Sequence, residues 1–527
     1  MMVDIVCVAV AAVIIVSDLV EGRVWEDLNL HPQHYPFFFN TNPGVADECH
    51  QDPNCPYKIH LDRDACWGYE SACPPGEAYS QPSCPGDARG WVNTKKEQRE
   101  TFYKQADFGY VKKRRSELEV YCQPEQEVDS SLECSDHLRF CRGRNLWLDL
   151  RHLTERSDPV LYHTDVLMKG QIGGHCRVDE ELLKKNTDMI SFLQSWGPEM
   201  RHFQRIDKPV ARQSKQCDIW VEKPAYVMKL DAIGNMYHHF CDFFNLYASL
   251  HVNSTDERAF FNDTQVLVWM TYQYRTNFAP AFTAFTENPI WNLKDVSGKR
   301  VCFREVMFPL LPRMIFGLYY NTPLIWGCEG SGLFHAFSRH MLHRLGVFGR
   351  EGIVDDRVHI TFLSRQTKYR QILNEAELAQ NLQKNETYVV HRAVYSHQMD
   401  LHHQLRQDQW TDIFVGMHGS GLTHLLFLPD WAVVFEIYNC GDPNCYQDLA
   451  RLRGIKYMTW EDSSKVTPQD EGYHPQLKGA HEKFTNYTFD VAEFQRLIEK
   501  AVKYVKGHRG WQNLQAKPHS TPGHQEL

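Results

Sequence analysis

The sequence predicts an α/β protein in which two Rossmann-like domains face a cleft and follow a Cys-rich N-terminal region. Two observations carry that reading. From about residue 146 onward, apolar runs of strand length alternate with amphipathic stretches, the pattern of parallel strands joined by crossover helices. Between His340 and Asp356 the alternation is punctuated by Gly346, Gly349 and Gly352, which divides it into two blocks. In such folds the ligand lies at the carboxyl ends of the strands.

In chain order the segments are 1–17, 18–145, 146–350, 351–510 and 511–527. Ile5–Val16 are almost wholly apolar over the length of a signal-peptide core and fall short of the ~18–20 residues that span a bilayer. Residues 1–17 therefore read as a cleaved secretory signal; Met1–Asp4 lack the usual positive charge, which leaves a short uncleaved anchor as the alternative. The 18–145 segment is rich in Cys, Pro, Gly and Tyr with little periodicity, and reads as loop-rich, disulfide-stapled and not expected to stand alone. In 146–350 the strand candidates are Trp220–Val221, Ala225–Leu230, Gln265–Met270 and Arg300–Val306. In 351–510 they are Val358–Leu363, Tyr388–Arg392, Ile413–Val415 and Ala432–Ile437, with amphipathic segments at Asn374–Gln383 and His397–Gln407. The 511–527 tail ends His524-Gln525-Glu526-Leu527, a variant of the endoplasmic reticulum retrieval signal with Gln525 where Asp is usual. Sequons at Asn253, Asn262, Asn385 and Asn486 suit the same compartment.

With 527 residues, 43% apolar and 23% charged, the chain supports a sizeable core and more than one domain. A net charge of −9 gives no footprint for nucleic acid, and Lys112–Arg115 read as a solvated face. Sixteen cysteines, one of them Cys7 in the leader, fit an oxidising lumen. Cys49, Cys55, Cys66, Cys73 and Cys84 cluster, and Cys440 and Cys445 could close a small loop. No CxxC pair occurs, so disulfides are favoured over zinc, and the odd count beyond the leader leaves a thiol, for which Cys241 is the candidate.

Three constellations carry candidate chemistry. In Thr411–Pro429 an apolar strand ends at Gly416 and leaves His418, Gly419, Ser420 and Gly421 in a turn before a helix-like stretch, an arrangement suited to a phosphate. It lacks the P-loop lysine and the dinucleotide fingerprint, so a nucleotide-sugar diphosphate is the natural ligand; a turn that only packs is the alternative. In Gly234–Ala248, Asn235 can cap a helix that places Asn235, His238 and Asp242 on one face, with His239 to one side. A His oriented by a carboxylate suits proton removal from an alcohol; histidines that merely satisfy buried polar groups are the alternative. Beyond the Val358–Leu363 strand, Arg365 and Arg370 are candidate phosphate ligands, with Lys368 a third; Glu436, ending a strand, could bind a sugar hydroxyl or pair with an arginine.

Together, Gly234–Asp242, Arg365 with Tyr369-Arg370, Met417–Leu422 with Phe427–Pro429, and Val434–Glu436 resemble glycosyltransferase family 61. The resemblance covers nearly the whole chain, including Arg300–Phe303, Leu311–Met314, Tyr319–Pro323 and Lys483–Tyr487, and is greatest to members acting on EGF-like domains. It implies a GT-B fold and inverting transfer of N-acetylglucosamine from UDP-GlcNAc to Ser or Thr of folded EGF-like domains, such as those of Notch-type receptors, in the endoplasmic reticulum lumen. It also implies a retrieval receptor for the tail. No cofactor is firmly implied, and a divalent metal requirement stays open. On this reading His238 is the base, oriented by Asp242, with Asn235 positioning acceptor or sugar; Asp242 is the alternative base. Arg365, Arg370, the His418–Gly421 turn and Glu436 hold the nucleotide sugar. Relatives carry Asp-aromatic-Asp after Ala-Phe-Thr, whereas Ala284-Phe285-Thr286 is followed here by Glu287-Asn288-Pro289, which puts any role of that motif in doubt. The competing readings are a family-61 transferase acting on an O-mannose or xylan-type glycan, and a non-catalytic luminal lectin or folding factor.

Overall fold

The computed structural model describes residues 23–61, 64–74, 76–155, 166–187, 191–212, 215–254, 257–270, 273–323, 325–350, 355–437, 444–474 and 478–516. The apolar leader, residues 440–443 of the proposed Cys440–Cys445 loop and the 524–527 tail fall outside them. Among the described residues no helix is long and apolar enough to cross a membrane.

The first sheet has a parallel arm and an antiparallel arm. Trp291–Asn292, Gln265–Val268, Ala225–Met228 and Arg300–Phe308 lie side by side in that order, all parallel. On the far side of Arg300–Phe308, Cys141–Asp149 pairs antiparallel, Val301 opposite Leu148 and Phe303 opposite Leu146. Ser131–Cys134 and Glu119–Gln123 extend that arm. Two expectations are corrected. Residues 18–145 are not merely loops: they supply these strands and the helices Lys95–Ala106 and Phe108–Ser116. The expected boundary after residue 145 also falls inside the Cys141–Asp149 strand. That strand reads Cys-Arg-Gly-Arg-Asn-Leu-Trp-Leu-Asp, and its charged, partly exposed positions dilute the apolar run that marks a strand covered on both faces.

The second sheet is wholly parallel. Its spatial order is Tyr388–Ala393, Val358–Leu363, Ile413–Gly416, Val433–Glu436, Lys456–Thr459. Numbered along the chain this is 2-1-3-4-5, so the chain reverses direction across the sheet between Val358–Leu363 and Ile413–Gly416, opening a crevice at their carboxyl ends. One face buries Ile360, Phe362, Val415 and Phe435 against Phe494, Leu497, Ile498 and Ala501 of the Val491–Gly507 helix. Phe414 and Val434, from the other face, join the core of the first sheet, so one apolar mass runs through both halves.

The Met236–Val252 helix lies at the centre of that mass. Its Phe240, Phe243 and Phe244 are fully buried, and Phe240 meets Phe427 of the second half at 5.3 Å between ring centres. The Cys-rich segment closes over the other end: Trp67 packs edge-on to His251 at 4.8 Å and the Tyr69 hydroxyl lies 3.3 Å from its Nδ1. Disulfides join Cys49 to Cys55, Cys66 to Cys73, Cys84 to Cys328, Cys122 to Cys176, Cys134 to Cys141 and Cys217 to Cys302. Among the described cysteines Cys241 is the free thiol, and it is buried. Of the sequons, Asn385 is exposed, whereas the Asn486 amide donates to Asp470 at 2.6 Å and Lys368 O at 3.1 Å and accepts from Gln371 N.

Arg350, at the junction of the halves, forms a buried ion pair with Asp412, inside a cage of Trp410, Trp431 and Trp511. Burial raises the Asp412 pKa against the pull of Arg350. Arg350→Met leaves that carboxylate uncompensated and should lower stability by about 3–5 kcal/mol. Adding Asp412→Asn should recover part of the loss; thermal melts of the three variants check both. Burial also lowers the pKa values of His34, His251 and His340 well below the ordinary value, and that of His239 to about 3. Their stabilisation is fully present above the unfolded-state value of about 6.5 and is lost on acidification, by up to about 1.4 kcal/mol per pH unit per histidine. Buried Asp107 and Glu199, whose pKa values are raised, act in the opposite sense. The sharp comparison is therefore His340→Gln, whose amide retains a donor for Ala284 O. Its melting temperature should fall less between pH 7.5 and 5.5 than that of the unaltered protein.

Candidate active site

The arginines and the glycine turn lie at the carboxyl ends of two neighbouring strands of the second sheet. Arg365 follows one strand flanking the reversal point and His418 follows the other. Arg365 Nη1 donates to His418 O at 2.9 Å, and Arg370 Nη1 donates to the same oxygen at 3.1 Å. Gly419 lies against Arg365, where a side chain would displace the guanidinium. A side chain at Gly421 would meet Leu363. The helix-like stretch is a 3-10 helix, Ser420–Phe427.

Both arginines are half-buried, and among the described residues neither has a carboxylate partner. Burial and the neighbouring Arg370 charge lower the Arg365 pKa to about 10; burial lowers that of Arg370 as well. Two crowded guanidiniums sharing one carbonyl are built to receive an anion. Lys368 lies outside the cluster, its Nζ over the Tyr369 ring at 5.0 Å. Glu436 corrects its sugar-binding expectation. It is 1% exposed, its Oε1 is 2.6 Å from His418 Nδ1, and its Oε2 accepts from the Tyr457 hydroxyl at 2.8 Å. It orients His418.

Across the crevice Asn235 caps the Met236–Val252 helix, its Oδ1 accepting from Tyr237 N at 3.1 Å. The carboxylate that holds His238 is Asp231, not Asp242. His238 Nδ1 lies 2.9 Å from Asp231 Oδ2, and Arg313 Nε donates to that oxygen at 2.6 Å. Burial opposes the Asp231 charge, but the bonds from His238 and Arg313 prevail and hold its carboxyl below the usual range. With Nδ1 engaged there, Nε2 is the nitrogen positioned to take a proton.

Asp242 faces inward and is fully buried. Its Oδ2 is 3.0 Å from His239 Nδ1, it accepts from Asp231 N at 3.2 Å, and His239 Nε2 meets the Tyr274 hydroxyl at 2.6 Å. Burial drives the Asp242 carboxyl well above its ordinary value and keeps His239 neutral, so Asp242 is a buried support and is not placed to act as the base. Asp231 and Arg313 follow the Ala225–Met228 and Arg300–Phe308 strands, so the strand-end rule that selected Arg365 could have found both.

The two sides meet through aromatic rings: Tyr446 stands 5.4 Å from His418 and 5.8 Å from Tyr237, which is 5.6 Å from His238. Glu287-Asn288-Pro289 lies elsewhere, at the amino end of the Gln265–Val268 strand. There Asn288 Nδ2 donates to Asp263 and Thr264 O, and Lys223 donates to Asn288 Oδ1. A cavity of about 1090 Å³ lined by Tyr79, His335, Asp430 and Arg453 lies toward the amino ends of the second sheet's strands, away from this site. Among the described residues no group of three or more His, Cys, Asp or Glu gathers as for a metal ion.

A family model described as Glycosyltransferase 61 matches residues 187–435, which include His238, both arginines and the His418 turn. The chain is 52% identical to the "EGF domain-specific O-linked N-acetylglucosamine transferase" of Drosophila melanogaster, over 91% of this chain and 91% of that protein. It is 47% identical to the protein of the same name from Rattus norvegicus over 94% of each, and 48% identical to that from Xenopus laevis over 92% of each. Likeness at this level along almost the full length of several relatives, with the family's model spanning both sides of the crevice, means that the chain belongs to the glycosyltransferase 61 family.

Proposed function

We propose that the protein transfers N-acetylglucosamine from UDP-N-acetylglucosamine to Ser or Thr hydroxyls of folded EGF-like domains, with inversion, in the lumen of the endoplasmic reticulum. The observation that carries the reading is the pair of half-buried arginines, without a carboxylate partner among the described residues, linked through His418, Tyr446 and Tyr237 to a His–Asp pair. The printed names of the relatives support the sugar and the acceptor. The disulfides and the leader-like and retrieval-like ends support the compartment. A GT-B arrangement is part of this reading: the parallel second half takes the nucleotide and the first half faces the acceptor.

The reaction is one displacement. The acceptor oxygen attacks the anomeric carbon as the bond to the β-phosphate breaks on the opposite face, and UDP leaves. His238 Nε2 takes the hydroxyl proton, while Asp231 stabilises the imidazolium that forms and Arg313 fixes Asp231. Arg365, Arg370 and the backbone of the His418–Gly421 turn take up the charge developing on the diphosphate.

The deciding experiment is intact-mass analysis of a purified folded EGF-like domain incubated with the protein and UDP-N-acetylglucosamine, with and without EDTA. The expected result is a gain of one N-acetylhexosamine in both arms; no gain while UDP still binds would overturn protein O-transfer. Arg365→Ala and Arg370→Ala should each weaken UDP binding by roughly 10- to 100-fold, as loss of a charge-assisted hydrogen bond implies. His238→Ala and Asp231→Asn should instead lower kcat by about 10²–10⁴ with UDP affinity retained. Calorimetric titration of UDP beside initial rates separates the two classes, and unchanged rates in Asp231→Asn would remove Asp231 from the mechanism.

A further inference from the structure

We propose that Ile315 and Phe316, at the crest of the loop beside His238, form the surface on which the folded acceptor domain docks. The proposal rests on the transfer activity proposed above and adds the place where the acceptor is gripped. The loop leaves the Arg300–Phe308 strand and is anchored beneath by Leu310, Leu311, Met314, Leu318 and Tyr319, all buried. Gly317 N donates to Met314 O at 3.0 Å, and Asn321 Nδ2 donates to the same oxygen at 3.0 Å. Held in this way, the crest leaves Ile315 56% and Phe316 70% exposed. Phe316 sits in the left-handed region with φ 52°, a conformation that a bulky residue adopts only where the surroundings impose it. An apolar pair on a braced turn is a fixed knob.

Its position supplies the function. Arg313, three residues before Phe316, is bonded to Asp231 and stacks on Tyr320 at 4.2 Å; Tyr320 in turn lies 5.4 Å from His238. Three virtual bonds of 3.8 Å keep the Phe316 Cα within about 11 Å of the Arg313 Cα. The knob is therefore continuous with the base side of the crevice, where the acceptor hydroxyl must arrive. A protruding apolar knob beside a charged, solvent-limited cluster suits the hollow of a rigid partner, in the way aromatic anchors seat at the centre of protein interfaces. It does not suit an extended peptide, which is gripped by grooves and sheet edges. Small disulfide-dense domains are rigid and bury little of their apolar surface, which makes a folded EGF-like domain the matching occupant.

The test compares the unaltered protein with Ile315→Ser/Phe316→Asn, asparagine being at home in the left-handed backbone. Four quantities are read: KM for a folded EGF-like domain, kcat, UDP affinity, and acceptor-free hydrolysis of UDP-N-acetylglucosamine. KM should rise at least tenfold with the other three unchanged, and transfer to the reduced, unfolded form of the same domain should be unaffected. The single variant Phe316→Asn should show a smaller rise in the same direction. Unchanged KM overturns the proposal, as does an equal loss on folded and unfolded acceptors. A change of oligomeric state at constant KM would assign the crest to a second copy of the chain instead. Failure of the unaltered protein to modify any folded domain would overturn the transfer reading itself, an outcome visible before the variants are compared.

Discussion

The structure is organised around burial of the Met236–Val252 helix. A helix buried along nearly its whole length must be wrapped on all sides, and this one is covered by the loop after the Arg300–Phe308 strand through Leu310 and Pro312, by the second half through Phe427, and by the Cys-rich segment through Trp67. That requirement explains why the amino-terminal segment is no independent module. It also explains why chemistry is confined to the helix start: beyond the first turn the side chains face packed neighbours, and His238 lies in the stretch that still borders the crevice. Two parallel strand ends then deliver Asp231 and Arg313 to that same turn.

Polar groups beneath the site form a connected set. The Tyr274 hydroxyl meets His239, His239 meets Asp242, Asp242 receives the Asp231 amide, and Asp231 receives His238 and Arg313. Burial lowers the His239 pKa and raises that of Asp242, so it disfavours charge on both members of the layer nearest the core. A buried network is favourable when its members are satisfied and costly when one is removed. The lower layer thereby fixes the Asp231 backbone, which fixes the carboxylate, which fixes the imidazole.

Much of this was legible in the sequence, and the errors have specific causes. The strand candidates of the second half lie within a residue or two of the observed ones, and the three central strands, buried on both faces, write continuous apolar runs. Arg365, Arg370 and the His418 turn come together because strand ends in a parallel sheet converge on one crevice. Helical periodicity points to Asp242 as the partner of His238 because it gives the spacing of a face and not its direction. His238 and Asp242 share helical spacing, yet Asp242 points into the core and pairs with His239, three residues before it. Asp231 precedes the helix and obeys no period. Arg313 lies 82 residues from Asp231, a separation at which only the topology of the sheet makes them neighbours.

The charges on the two sides of the crevice differ in a way that bears on what fills it. On the side of the first half each ionised group has an opposite partner: Asp231 holds Arg313 and His238, and Lys229 beneath them holds Glu199 at 2.6 Å. On the side of the second half, Arg365 and Arg370 face each other, while the nearby carboxylate of Glu436 is already committed to His418 and Tyr457. Two like charges crowded on one carbonyl repel each other, so such a pair is unfavourable until an anion enters and favourable once it has. One carboxylate would balance a single guanidinium, whereas a diphosphate balances both and presents oxygens in several directions. The imbalance of this half-site would suit the diphosphate of the proposed donor, and the balanced half-site opposite would suit the neutral hydroxyl of the proposed acceptor.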